Sequence, residues 1–109
     1  MSEKLVRDGM PAICNRPGFT PMTYRIASKK EMPQLLLAKL KEEVSELELA
    51  MLPSPIRKVF VIEELADIRE ALDALEILLD IDDYVQAKQA EKAKDRGGFS
   101  GRIVWDGKK

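Results

Sequence analysis

The sequence predicts an all-α protein, a helical bundle. Two observations favour this class. Apolar residues recur every three or four positions over residues 36–51 and 60–79, the spacing that lines one face of a helix. Of the 109 residues, 45% are hydrophobic but only 6% are aromatic, a composition that suits helices built on Leu, Ile, Val and Ala. At this length the chain forms one domain, residues 1–109.

The terminal segments are expected to be less regular than the middle of the chain. A short helical piece is predicted from Leu5 to about Cys14, although a glycine and a proline inside it weaken the prediction. Residues 20–26 could form a short strand, and Arg102 to Trp105 another that pairs with residues 23–26. Paired, the two would make a short two-stranded ribbon from the terminal segments.

Three long helices account for the rest. The first should begin near Ser28, which can act as N-cap with Glu31 as its capping-box partner, and should end before Pro53. The second is predicted over 56–79. The third is predicted over 83–96, where a glycine pair provides a natural end.

Composition excludes several kinds of chemistry. The chain has no histidine and one cysteine, Cys14, so neither a Cys/His zinc site nor a histidine-based triad can form. Eighteen basic residues against 19 acidic ones give a net charge of −1, which argues against nucleic acid as a partner. No apolar run reaches the roughly 20 residues that a membrane span needs, and the N-terminus lacks the apolar core of a secretion signal. A cytoplasmic location is therefore expected.

Two acid pairs stand out, Glu43 with Glu46 and Glu64 with Asp67. Positions three or four apart share one face of a helix. On the second long helix both Glu64 and Asp67 fall inside a wide apolar arc. A carboxylate buried there costs several kcal/mol unless it is paired, protonated or bound to a cation. No lysine or arginine lies on that arc. Magnesium, or manganese in its place, fits such a set of oxygen ligands. The alternative is that these acids simply form a solvated face, since acids at this spacing are common there.

Three separated motifs resemble a known family. EVSE, 17 residues and then ELAD match the ExxE…ExxD arrangement of the all-α nucleotide pyrophosphohydrolases, the MazG-like and phosphoribosyl-ATP-pyrophosphohydrolase-like group. The N-terminal KLVRDGMP is similar to that group's KLVRDKIP opening, with Gly9 and Met10 departing from it. The C-terminal KAKDRGGFSGRIV resembles its RGGF…RI ending. The motifs span nearly the whole chain in the family's order.

The resemblance implies a fold, the helical bundle of the all-α nucleoside triphosphate pyrophosphatases, and with it an activity and a site. It implies a homo-oligomer, a dimer or tetramer, that hydrolyses a nucleoside triphosphate to the monophosphate and pyrophosphate with magnesium as cofactor. The implied metal ligands are Glu43, Glu46, Glu64 and Asp67. The basic positions of the terminal motifs correspond to Lys4, Arg7, Lys92, Arg96 and Arg102.

The residues themselves fit this chemistry. Lys88, Lys92 and Arg96 recur at four-residue spacing and form one cationic stripe, which could hold phosphates together with Arg102 or serve only solubility and the helix dipole. The general base is not identified by the sequence. A metal-bound water can act as nucleophile, assisted by one of three neighbouring acids, Glu42, Glu63 or Glu70.

Other readings remain open. A non-catalytic oligomeric helical protein with a regulatory or interaction role could retain the same fold, but loss of the ligand acids would mark it and all four are present. A nucleic-acid module using the basic C-terminus is opposed by the acidic helices. The phosphoribosyl-ATP pyrophosphohydrolase of histidine synthesis is chemically close, yet the KLVRD opening and RGGF ending favour the broader MazG-like branch.

The width of the apolar arc on the second long helix independently predicts that another subunit covers part of it.

Overall fold

The computed structural model describes residues 3–108 and confirms the all-α prediction. Its helices are α1 (Met10–Cys14), α2 (Met32–Ala50), α3 (Lys58–Leu78) and α4 (Asp82–Arg96). The short connection 51–57 folds α3 back onto α2, and these two helices form the main packed pair. Among the described helices α4 packs only on α3. The two acid pairs therefore lie on the two helices that face each other.

The start of α2 differs from the prediction for a local reason. Only half of the expected capping box forms, since the Ser28 backbone N–H and hydroxyl donate to Glu31 Oε2 at 2.8 and 3.0 Å but Glu31 N–H binds the Ser28 carbonyl. Residues 29–31 nevertheless make a turn, and the helix begins at Met32, with Pro33 in its first turn where its missing N–H is tolerated. The guanidinium of Arg25 also binds Glu31, at 2.8 Å, and holds this turn against the N-terminal segment.

The N-terminal helix is shorter than predicted. It covers Met10–Cys14 instead of beginning at Leu5. Pro11 explains the difference, because its ring would clash with the carbonyl of residue 7 if the helix continued backwards through that residue. Residues 3–7 instead run as an irregular segment whose charged side chains reach α2 and α3.

No β-bridge forms within residues 3–108, so the terminal ribbon is not seen in the single chain. Arg102 has a positive φ of 54°, which turns the chain at the point where the second strand was expected to begin. The three apolar residues that follow are at least 83% exposed: Ile103, Val104 and Trp105.

The single chain has almost no core. Among the described residues only Leu36, Ala71 and Glu43 are buried. The accessible surface is 9956 Å², whereas a compact monomer of 12.3 kDa is expected to expose roughly 6,000 Å². The radius of gyration is 18.1 Å against about 13 Å for a compact domain of this length. Large apolar faces of α2 and α3 are therefore left uncovered in the single chain.

Within the described part of the chain, no helix is both long and apolar enough to cross a membrane.

Candidate metal centre

Carboxylates from α2 and α3 meet across the interface between these helices. Glu43 of α2 and Glu64 and Asp67 of α3 each place one carboxylate oxygen within 4.8 Å of the others. This arrangement follows from the sequence, because α3 turns the Glu64 and Asp67 positions of its apolar arc toward α2. We call these three residues the acid trio.

Glu46, the fourth predicted ligand, lies at the edge of the acid trio. Glu46 is exposed, but its carboxyl is among the neighbours that raise the pKa of Glu64. Both residues also line an open groove of about 520 Å³ at the turn between α2 and α3. The other residues of this groove are Leu49, Ala50, Pro53, Arg57 and Phe60.

Two oxygens of the acid trio are buried without a hydrogen-bond donor. Neither Glu43 Oε2 nor Glu64 Oε2 has a partner within the described residues, and the Glu43 side chain is only 4% exposed. A buried carboxylate oxygen left unpaired costs several kcal/mol, which proteins avoid by protonation or by a cation. The donor set consists of oxygens alone, the ligand type that Mg²⁺ and Mn²⁺ prefer. The residues therefore fit a hard divalent cation.

The protonation of Glu64 reflects the same crowding. Burial, followed by the adjacent carboxyls of Glu43 and Glu46, raises the pKa of Glu64 to about 7. At this pKa the carboxyl of Glu64 is about half protonated at pH 7. A divalent cation placed among these oxygens would replace that proton.

Two cations neutralise part of the cluster, and neither lies on the arc of α3. Lys39 Nζ is 3.0 Å from Glu43 Oε1 and 3.8 Å from Glu42. Partial burial disfavours the charged form of Lys39, but the hydrogen bond to Glu43 and the surrounding carboxylates outweigh it, so its pKa is raised. Arg7 Nη2 is 2.7 Å from Asp67 Oδ1, and Arg7 Nη1 is 3.3 Å from Glu70. The trio is thus paired only in part.

Lys39 was missed by the sequence analysis, although a signal existed. It precedes Glu43 by four residues, the spacing that brings side chains together on one helix face. The contact of Arg7 with Asp67 joins residues 60 positions apart, and no local pattern predicts it.

The candidate assisting acids are not equivalent. Glu42 shares Lys39 with Glu43, and Glu70 shares Arg7 with Asp67, so both lie beside the acid trio. Glu42 also accepts a hydrogen bond from Lys4 at 3.2 Å. Glu63 is exposed and makes no ion pair within residues 3–108. Lys4 and Arg7, which were predicted to bind substrate, already contact carboxylates at this site.

The basic residues of the C-terminal part stand apart from these contacts. Lys88 pairs with Glu91 on the same helix at 3.0 Å. Lys92, Arg96 and Arg102 form no ion pair with the acid trio or with any other residue in the part of the chain that the structure describes. Their phosphate-binding role stays a prediction. Phe99 and Trp105 are 98% and 83% exposed and do not pack within the single chain.

Comparison with protein-family models, with curated proteins and with solved structures found no match to this chain. The likeness to the all-α pyrophosphohydrolases therefore rests on the motifs of the chain itself.

The raised pKa of Glu64 predicts how the metal-free protein responds to pH. In the unfolded chain a glutamate titrates near 4.5, whereas Glu64 in the folded chain titrates near 7. Between these values the folded state holds a proton that the unfolded state has released, so stability declines as pH rises through 7. We expect a loss of about 2.5 kcal/mol between about pH 5 and pH 8, measured by urea denaturation with EDTA at fixed protein concentration. Glu64→Gln should remove this decline, and an equal decline in that variant would contradict the assignment.

Proposed function

We propose that this protein is a magnesium-dependent nucleoside triphosphate pyrophosphohydrolase, which converts a nucleoside triphosphate and water into the monophosphate and pyrophosphate. The observation that carries the proposal is the pair of buried, unpartnered oxygens on Glu43 and Glu64 beside Asp67. A site built for solvated charge has no reason to bury such oxygens. The three motifs that resemble the pyrophosphohydrolase family supply the reaction.

In this proposal Glu43, Glu64 and Asp67 hold the ion, and Glu46 completes the set from the edge of the groove. Magnesium, or manganese in its place, would neutralise phosphate charge and make a water molecule more acidic. Glu42 and Glu70 are the better placed of the three candidate assisting acids, because Lys39 and Arg7 link them to Glu43 and Asp67 of the trio. The groove gives a substrate space against the acids, and its volume is within the range of small-molecule sites.

The cationic stripe of α4 is proposed to bind the phosphates. We expect Arg96→Ala to lower kcat/KM by about 10- to 100-fold while metal affinity and helix content stay unchanged, because charge-assisted bonds to a phosphate are lost. Lys94→Ala is the matched control, since residue 94 lies on the same exposed helical turn but off the stripe formed by residues 88, 92 and 96. Steady-state kinetics with the best triphosphate test this expectation. The same kcat/KM in Arg96→Ala, Lys94→Ala and the unmodified protein would contradict the phosphate-binding role.

We also propose that the protein works as a homo-oligomer, a dimer or tetramer. The surface in excess of a compact monomer is about 4,000 Å² per chain, ample for one subunit's share of an obligate interface of about 2,000–5,000 Å² in total. The exposed apolar residues of α2 and α3 include Val44, Leu65 and Leu72, which belong to the faces predicted to pack. A second copy offers the same apolar faces and is the natural partner for them.

A non-catalytic oligomeric helical protein with a regulatory or interaction role is the second candidate. The observation that favours it is the large uncovered apolar surface, which an interaction protein would use directly. It gives no reason, however, for burying unpartnered carboxylate oxygens in the α2–α3 interface.

A panel of standard and modified nucleoside triphosphates separates the two candidates. Each triphosphate is incubated with Mg²⁺ or with EDTA, and the products are resolved as monophosphate, diphosphate, pyrophosphate and orthophosphate. The proposal expects monophosphate and pyrophosphate in equal amounts with Mg²⁺ only. Absence of turnover across the panel, or release of orthophosphate, would favour the second candidate or another reaction.

A further inference from the structure

The irregular N-terminal segment, residues 3–7, passes beside the acid trio and brings Arg7 into contact with it. Three of its side chains form ion pairs with the rest of the chain: Glu3 with Arg25, Lys4 with Glu42 and Arg7 with Asp67. Arg7 forms the shortest of these contacts, 2.7 Å from Asp67 Oδ1. An oxygen of a trio residue is therefore already bound by a cation that belongs to the chain.

A divalent cation and Arg7 compete for the same carboxylate. Asp67 lies within 4.8 Å of the trio's other ligand oxygens, so an ion placed among them would sit close to the Arg7 guanidinium and repel it. The Arg7 side chain is 53% exposed, and an exposed ion pair of this kind is weak in water. Its backbone lies outside any helix, so the side chain can move without unfolding an element.

The second partner of Arg7 keeps the displaced group near the site. Glu70 lies one helical turn beyond Asp67 and outside the acid trio, and Arg7 already donates to it at 3.3 Å. An arginine retained there has its other nitrogens free. Guanidinium groups bind phosphate oxygens in the same bidentate way as carboxylates.

We propose that Arg7 is an exchangeable counter-cation, which neutralises Asp67 while no divalent ion is bound and which, once an ion displaces it, is passed to the phosphates of the substrate. This inference rests on the proposed function. Arg7 then has two successive partners, Asp67 before the ion binds and a substrate phosphate afterwards. The phosphate site is complete only when the metal is bound. Arg7 thereby contributes to a positive coupling between the ion and the triphosphate.

The test measures metal and phosphate binding separately. Binding of Mn²⁺ alone is followed by the loss of its free-ion signal in electron paramagnetic resonance. Binding of inorganic triphosphate, which carries no base, is followed by calorimetry at saturating Mn²⁺. We expect Arg7→Gln to bind Mn²⁺ at least about fivefold more tightly and inorganic triphosphate at least about tenfold more weakly than the unmodified protein.

Arg25→Gln is the matched control. Arg25 anchors the same N-terminal segment through Glu3, at 2.8 Å, but makes no ion pair with the acid trio in the described chain. Its replacement removes the same charge and loosens the same segment. We expect both affinities to stay within about twofold of the unmodified protein, which is the size of a screened, distant charge effect.

Each outcome decides something. Unchanged or weaker Mn²⁺ binding by Arg7→Gln overturns the exchange, as does equal tightening in Arg25→Gln. Tighter Mn²⁺ binding with unaltered triphosphate binding overturns the transfer to substrate. If no form of the protein binds Mn²⁺, the metal centre fails together with this inference. If the expected pattern appears but no nucleoside triphosphate is hydrolysed, the exchange stands and the proposed reaction fails.

Discussion

Glu64→Gln is expected to lower kcat/KM for the best triphosphate by at least about 1,000-fold while making the metal-free protein more stable at pH 8. The two effects have one cause. Glu64 is crowded by Glu43 and Glu46, and burial raises its pKa to about 7, so its ionised form is unfavourable without a cation. Glutamine fills the same volume without the charge, which removes the penalty and also removes a ligand. We expect a gain of about 1–2 kcal/mol in the free energy of unfolding.

The opposite signs make this prediction discriminating. Turnover is measured with Mg²⁺, and stability by urea denaturation with EDTA. Asp73→Asn is the matched control, because it removes an exposed carboxylate from the same helix, on the face turned away from α2. It should leave both quantities nearly unchanged. A Glu64→Gln variant that is active, or that is destabilised without metal, would show that Glu64 is a structural residue.

Leu72→Glu should convert the protein to a monomer and lower its thermal midpoint by at least about 15 °C. Leu72 is 42% exposed in the single chain and lies on the same helix face as Leu65, seven residues earlier. If another copy covers this face, a charge placed there is buried without a partner in the assembly. Because the single chain buries so little, loss of the partner should also remove most of its stability.

Light scattering and thermal denaturation at one protein concentration test this expectation. Asp73→Lys alters the adjacent residue, which a helix turns to a different side, and should keep both the molecular mass and the midpoint. A monomeric unmodified protein at micromolar concentration would contradict the oligomer outright. An unchanged mass for Leu72→Glu would exclude this face from the interface.

The helices and the acid trio could be predicted because both follow from local periodicity. Glu64 and Asp67 lie in an apolar arc of α3, and the break at 51–57 returns that arc to α2, so their approach to Glu43 was implied by spacing. The exposed position of Glu46 was not implied, because it depends on how far α2 is rotated about its own axis. A small rotation moves a residue from the interface to its edge.

The partners of the acids could not be read from the sequence in the same way. Arg7 reaches Asp67 and Glu70 because Pro11 stops α1 from extending backwards and leaves residues 3–7 irregular. That outcome depends on tertiary contacts between segments about 60 residues apart. The starts of α1 and α2 differed from prediction for local reasons, since Pro11 limits α1 at its N-terminal side and residues 29–31 form a turn before Met32.

The central claim is that acids of α2 and α3 form one divalent-cation centre. Anomalous scattering from crystals grown with Mn²⁺ tests it most directly. The account predicts an anomalous peak about 2.1–2.3 Å from carboxylate oxygens of Glu43, Glu64 and Asp67, and no peak there in crystals of Glu64→Gln. A peak at another place on the molecule, or an empty acid trio at millimolar Mn²⁺, would contradict it.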